Sequence, residues 1–196
     1  MLILASASLR RQELLRNAGI PFTVQPADIS ETPLAGESPR DCAERLAREK
    51  ALAVFQSGRQ QYVLGADTVV VVDGSILGKP RDADDAARML RLLSGRTHAV
   101  ITGVCVVGPV ASGQWSGTSK SEALTASETT LVTLRELSED EIRDYVATGE
   151  PMDKAGAYAI QGIASRWIPR IEGDYSNVVG LPVALVYGML RERGAL

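Results

Sequence analysis

The sequence predicts an α/β protein built on a mixed, partly antiparallel sheet with helices around it. Three observations carry that expectation. Apolar, strand-like runs intermix with helix-period segments along the chain, the pattern of strands joined by helical crossovers. Asp73-Gly74 stands between two such runs, a hairpin signal that brings antiparallel pairing into the sheet. The length, 196 residues, suits one domain, or one domain with two lobes.

The elements follow in order. Residues 2–5 make a short strand. Ser6-Ala7-Ser8 comes next, then a helix over 9–18 with Leu14, Leu15 and Ala18 as its apolar side. Gly19 ends that helix as a C-terminal cap. Residues 21–24 are extended again, and 27–39 is a polar, proline-containing loop. Ser38-Pro39 opens the second helix, as N-cap and first helical position. It runs to about residue 56, with Ala43, Leu46, Ala47, Ala53 and Val54 on its buried side and Glu44–Arg48 as an i,i+4 pair. Two extended runs flank Asp67, and a hairpin joins 69–72 to 75–77. A helix over 82–93 begins near Asp82. Residues 99–107 are β-rich, 108–127 read as a long hairpin arm, and 129–134 alternate β-formers. Ser138-Glu139-Asp140-Glu141 is a capping box for a helix to about residue 147, closed by Gly149-Glu150-Pro151. Residues 157–160 and 167–171 are expected as strands around Gly162, and 182–193 as the last helix.

Composition narrows the function classes. Hydrophobic residues at 45% and charged residues at 23% describe a globular protein with a sizeable core. A net charge of −3 argues against a broad nucleic-acid surface, yet a local cationic cluster still suits a small anion. Cys42 and Cys105 lie in no CxxC or Cys/His cluster, so buried thiols are expected, not a disulfide framework or a zinc site. The first residues lack the basic lead-in and length of a signal peptide, and no apolar run reaches membrane-spanning length. The expected compartment is the cytoplasm, with neither nucleic acid nor membrane as partner.

The run Val63-Leu64-Gly65-Ala66-Asp67-Thr68-Val69-Val70-Val71-Val72 places one ionisable residue in an apolar stretch. A carboxylate there needs a cation, hydrogen bonds or a metal, which makes Asp67 a candidate functional group; the plainer alternative is an Asp at a turn between two strands. Small neighbours Gly65 and Ala66 let a ligand or backbone approach closely. Ser6-Ala7-Ser8-Leu9-Arg10-Arg11 sets hydroxyls and two arginines at a helix start, where free N–H groups and the dipole favour phosphate; a simple cap with solvated arginines uses the same residues. Gly78-Lys79-Pro80 is not a Walker A loop, but it holds Lys79 in a stiff turn. Lys50 lies near the apolar side of its helix, so it either snorkels outward or points into a cleft. Glu31 stands in the polar loop. Gln161, between an apolar run and Gly162, carries an amide able to read a nucleobase edge or to bond its own turn. His98 is the only histidine and reads as structural. Carboxylates for a hard cation and Arg and Lys for polyphosphate together point to metal-assisted chemistry on a nucleotide.

Taken in order, Leu4-Ala5-Ser6-Ala7-Ser8-Leu9-Arg10-Arg11, Glu31, Ala47-Arg48-Glu49-Lys50-Ala51, Gly65-Ala66-Asp67-Thr68, Gly78-Lys79-Pro80, Leu93-Ser94-Gly95-Arg96-Thr97-His98, Glu150-Pro151-Met152-Asp153-Lys154-Ala155-Gly156-Ala157-Tyr158, Ile160-Gln161-Gly162 and Val179-Gly180-Leu181-Pro182 resemble the Maf family of nucleoside triphosphate pyrophosphatases. The resemblance covers nearly the whole chain, as a single domain over 1–196. It implies an elongated α/β fold with a twisted sheet and a central cleft between two lobes, similar to inosine triphosphate pyrophosphatase. It implies a cytoplasmic homodimer that hydrolyses a nucleoside triphosphate to the monophosphate and pyrophosphate with a divalent cation, magnesium or manganese. Asp67 matches the family's proton acceptor; Ser6, Arg11, Glu31, Lys50 and Lys79 match polar cleft residues, with Glu31 and Asp67 as expected metal ligands. Arg10, Thr68 and Gln161 match positions linked to substrate choice, in the combination of the subgroup that prefers dTTP and UTP. The family's usual Pro before the paired arginines is Leu9 here, and its frequent Gly before Ser8 is Ala7. The family's association with septum formation leaves a nucleotide-sensing regulator as one alternative, and a pyrophosphatase for modified nucleotides as another.

Overall fold

A helix over residues 39–54 can press flat onto a sheet only where both surfaces are small, and this chain supplies alanines on one and glycines on the other. The computed structural model describes residues 1–55, 61–109 and 122–196. In chain order the elements are β1 (Leu2–Leu4), α1 (Leu9–Asn17), β2 (Phe22–Val24), α2 (Pro39–Val54), β3 (Tyr62–Val72), β4 (Ser75–Leu77), α3 (Ala83–Leu93), β5 (Thr97–Gly108), β6 (Glu122–Thr133), α4 (Glu139–Ala147), β7 (Arg170–Glu172), α5 (Tyr175–Val179) and α6 (Val183–Glu192). The described strands form one seven-stranded sheet in the order β2-β1-β3-β5-β6-β7, with β4 paired to β3. β1 lies parallel to both β2 and β3, while β3–β4 and β6–β7 are antiparallel. The mixed α/β class expected from the sequence is therefore the class observed.

The chain divides into two compact units. The first holds Met1–Asp67, Thr102–Glu128 and Gly180–Leu196; the second holds Thr68–Ile101 and Thr129–Val179. In the first unit, strand alternation sorts side chains onto two faces. Leu2, Leu4, Leu64, Ala66, Val104 and Val106 pack with Leu15 of α1 and with Val186, Met189 and Leu190 of α6. Ile3, Ala5, Val63, Cys105 and Val107 pack instead with Ala47, Ala51 and Val54 of α2. Gly65 and Gly103 share the parity of that second face. A Cβ on Gly65 would overlap the Ala47 carbonyl oxygen and stand 2.7 Å from the Ala51 nitrogen; one on Gly103 would overlap the Ala43 carbonyl and stand 2.6 Å from the Glu44 nitrogen. The helix backbone is thus seated directly on the strands. Ala51, not the exposed Ala53, completes the buried side of α2. Glu44 accepts a hydrogen bond from the Ser127 hydroxyl at 2.6 Å, and Arg45 in place of Arg48 forms ion pairs, with Glu37 and Glu49.

In the second unit, α3 and α4 bring Ala86, Met89, Leu90, Leu93, Ile142 and Tyr145 against Val70, Val72, Val100, Val132, Leu134 and the fully buried Trp167. The hairpin at Asp73-Gly74 has φ of +49° and +75° at its two turn residues, the sign that a two-residue hairpin of this kind needs. Asp82 caps α3, and Ser138 and Glu141 form the expected capping box on α4. Residues 157–160 are not a strand. Gly156 and Ala157 both take positive φ, +69° and +59°, which turns the chain out of an extended course. The stretch is built from short 3₁₀ turns, Glu150–Asp153, Ala155–Ala157 and Ile163–Trp167, so the strand expected over 167–171 shortens to Arg170–Glu172. β6 starts at Glu122, within the expected arm; the arm's residues 110–121, and Gln56 at the expected end of the second helix, lie outside the described residues.

His98 is buried in this second core, with Nε2 2.8 Å from the Tyr158 hydroxyl and the two rings edge to face. Burial pushes its imidazole down to about 4. The unfolded chain takes up this proton near about pH 6.5, the native chain only near 4. Stability from this group is therefore whole at pH 7 and is lost as pH falls from about 6.5 to about 4, by about 3 kcal/mol in total. Urea unfolding of the native protein is expected to show this loss between pH 7 and pH 4.5, with a flatter profile in His98→Phe. Equal slopes in the two proteins would remove His98 as the cause.

Candidate active site

Parity places Asp67 two residues beyond Gly65 on the same face of β3, the face that α2 covers. Lys50 lies on α2 between Ala47 and Ala51, the residues seated on Gly65. The glycine seat therefore sets the reach between ammonium and carboxylate. Lys50 Nζ donates to Asp67 Oδ1 at 2.6 Å and stands 2.6 Å from Glu31 Oε1. Lys50 and Asp67 are each 7% exposed, whereas nearly half of the Glu31 side chain is open to solvent. Lys50 therefore points inward, and Asp67 sits within one continuous strand, not at a turn between two. Asp67 Oδ2 accepts no hydrogen bond from any described residue.

The parallel pairing of β1 with β3 ends at Leu4–Leu64, and the Ala5 N–H extends it by one bond to the Leu64 carbonyl at 2.8 Å. Ser6 follows directly, at the carboxyl end of a parallel strand, the usual place for a ligand in an open α/β sheet. Ser6 Oγ accepts the Ser8 N–H at 3.3 Å and Arg11 Nη1 at 3.1 Å. Ser8 is the N-cap of α1, its hydroxyl accepting the Arg11 N–H. Arg11 Nε donates to the Gly180 carbonyl at 2.8 Å. Burial lowers the Arg11 guanidinium from its usual value, and the Asp67 and Glu31 charges oppose that shift. Arg10 is half-buried on the preceding position of the helix.

Ser6, Arg11, Glu31, Lys50 and Asp67 are thus gathered in the first unit. Thr68, Lys79 and Gln161 belong to the second. Thr68 continues β3 from Asp67. Lys79 is exposed just after β4, and the carbonyl of its neighbour Gly78 accepts the Gly156 N–H at 3.0 Å. Gln161 is exposed on a turn.

Two roles escaped the sequence. The Gly180 carbonyl orients Arg11, and Gly103 seats α2. Gly180 takes φ of +128°, so the signal available was a glycine wedged between Val179 and Leu181-Pro182. Among the described residues no group of three or more His, Cys, Asp and Glu could hold a metal ion. Two carboxylates, Glu31 and Asp67, nonetheless offer the hard oxygen donors that a divalent cation takes, its remaining positions being left to water or ligand oxygens. Among the described residues no helix is long and apolar enough to cross a membrane.

A family model described as "Maf-like protein" matches residues 1–193. A protein named "dTTP/UTP pyrophosphatase" from Koribacter versatilis (strain Ellin345) is 55% identical over 195 residues, covering 100% of this chain and 95% of that one. Proteins of the same name from Geobacter sp. (strain M21) and Syntrophomonas wolfei subsp. wolfei (strain DSM 2245B / Goettingen) are each 51% identical; they cover 100% and 97% of this chain and 96% of their own length.

Proposed function

The chain belongs to the Maf family, and on that footing we propose that it hydrolyses nucleoside triphosphates, dTTP and UTP foremost, to the monophosphate and pyrophosphate. The observation that carries the reading is Lys50 Nζ held 2.6 Å from both Asp67 and Glu31, beside an arginine locked by Ser6 and Gly180. It combines fixed positive charge for phosphate with a carboxylate aimed from a rigid strand. The name dTTP/UTP pyrophosphatase carried by relatives at 51–55% identity supports it.

In this reading Arg11, Lys50 and Lys79 neutralise the triphosphate oxygens, and Ser6 and the first turn of α1 donate to them. Asp67 orients a water in line with the α-phosphorus. Its carboxylate receives the proton as the water oxygen bonds to phosphorus and the bond to the α,β-bridging oxygen breaks. Pyrophosphate leaves with its charge met by the same cations. An aspartate is a weak base, so most of its effect is positional. Glu31 and Asp67 would hold a divalent cation, magnesium or manganese, which when bound supplies Lewis-acid charge at phosphate oxygens. Arg10, Thr68 and Gln161 select the base. Residues 1–196 act as one catalytic domain, in a cytoplasmic homodimer.

The test is a panel of nucleoside triphosphates with magnesium or manganese, assayed for every phosphate product. The expected result is pyrophosphate with dTMP or UMP. Release of inorganic phosphate from the γ-position would overturn the choice of bond. Tight binding without turnover across the panel would leave a nucleotide sensor, and faster turnover of modified nucleotides would make those the substrate class.

A further inference from the structure

Glu150 takes no part in the chemistry above, yet its carboxylate organises the turn that carries Gln161. Its Oε1 accepts the Tyr145 hydroxyl at 2.8 Å and the Ile163 N–H at 3.1 Å; Oε2 lies 3.3 Å from the same N–H. The Tyr145 hydroxyl oxygen in turn accepts the Ala159 N–H at 3.3 Å. The backbone is therefore tied two residues before Gln161 and two residues after it, by one Tyr–Glu pair.

That pair is itself rigid. Tyr145 is 1% exposed and meets Trp167 edge to face at 5.1 Å. Gly162 lies so close that a Cβ there would overlap the Glu150 carboxylate, with Oε2 at 2.6 Å. The turn is closed by the Gly162 N–H on the Ala159 carbonyl, 3.1 Å, so Gln161 does not close it with its own side chain. Its exposed amide bonds to no described residue. A donor and an acceptor on one short side chain are thus presented outward from a backbone fixed at both ends.

We infer that Glu150, acting with Tyr145, is a positioning residue for base selection: it sets where Gln161 offers its amide to the pyrimidine edge of the nucleotide. The inference rests on the proposed reading of this site as nucleotide-binding. A site built to hydrogen-bond a base discriminates strongly only while its donors stay in register. The role is geometric, so it shows in selectivity and KM, not in the chemical step.

The experiment measures kcat, KM and calorimetric affinity for dTTP and ATP in wild type, Glu150→Ala, Glu150→Gln, Tyr145→Phe, Gln161→Ala and the Glu150→Ala/Gln161→Ala double variant, with thermal unfolding alongside. Glu150→Ala is expected to raise the dTTP KM and cut the dTTP-over-ATP preference by about tenfold, with kcat nearly kept. Glu150→Gln retains the acceptor and restores most of the preference. The double variant is no worse than Gln161→Ala alone. If Glu150→Ala fails to fold, Tyr145→Phe removes one hydroxyl, keeps the ring on Trp167 and carries the same expectation. An equal fall in kcat for both nucleotides, unchanged preference in folded variants, or additive loss in the double variant overturns the inference. Wild-type binding without turnover sinks the pyrophosphatase reading alone, because the affinity ratio still tests Glu150. Wild type that binds neither nucleotide overturns both.

Discussion

Asp67→Asn is expected to lower kcat by about 10²–10⁴-fold while the protein stays folded and binds dTTP more tightly. The three effects share one cause. The cluster of Arg11, Lys50, Glu31 and Asp67 carries two positive and two negative charges, so the substitution leaves it net positive toward an incoming polyphosphate. It also removes the group that would orient and deprotonate the water. Removing one partner of a buried ion pair commonly costs about 3–5 kcal/mol. Here the cost is smaller, because Lys50 keeps Glu31 at 2.6 Å. Pyrophosphate release under saturating dTTP and a calorimetric Kd read the kinetic and binding parts separately. Near-normal turnover would remove Asp67 both as base and as cation ligand.

Gly65→Ala is expected to destabilise the protein by about 3 kcal/mol, at the upper end of what overpacking costs, and to reduce activity in the fraction that folds. The added methyl has no room: it would overlap the Ala47 carbonyl and crowd the Ala51 nitrogen. Relief requires α2 to lift from β3, and Lys50 travels with α2 away from Asp67. Urea unfolding and steady-state kinetics on the same preparation check both consequences. An unchanged midpoint with full activity would show that the helix shifts without harm, and the seat would lose its role in setting the Lys50–Asp67 distance.

Much of this was legible in the sequence where a residue type answers a local need. Asp73-Gly74, Ser38-Pro39, Asp82 and Ser138 each announced a turn or cap that the backbone takes. Asp67 stood out because a carboxylate in an apolar strand needs a partner, but its partner did not. Lys50 lies 17 residues before it, and helical spacing alone left inward and outward paths open. The segment from Glu150 to Trp167 is hard to read from sequence because 3₁₀ turns of three to five residues have no amphipathic period to detect. The two positive φ values at Gly156 and Ala157 then removed a strand that composition favoured. Contacts made through backbone atoms were the least visible. The Gly180 carbonyl on Arg11 and the Ala43 carbonyl over Gly103 leave no side-chain signature.

The seating of α2 also shapes how this protein can vary. At most crowded core positions a larger residue is rescued by a smaller neighbour, so harmful changes have suppressors. At Gly65 and Gly103 the obstructing atoms are almost all main-chain carbonyl, carbon and nitrogen atoms of α2, which no substitution can shrink. The side chains there are already alanine at 43, 47 and 51. A random library built on a Gly65 or Gly103 variant should therefore yield revertants to glycine and few compensating changes elsewhere, making these two positions genetic dead ends beneath the helix that carries Lys50.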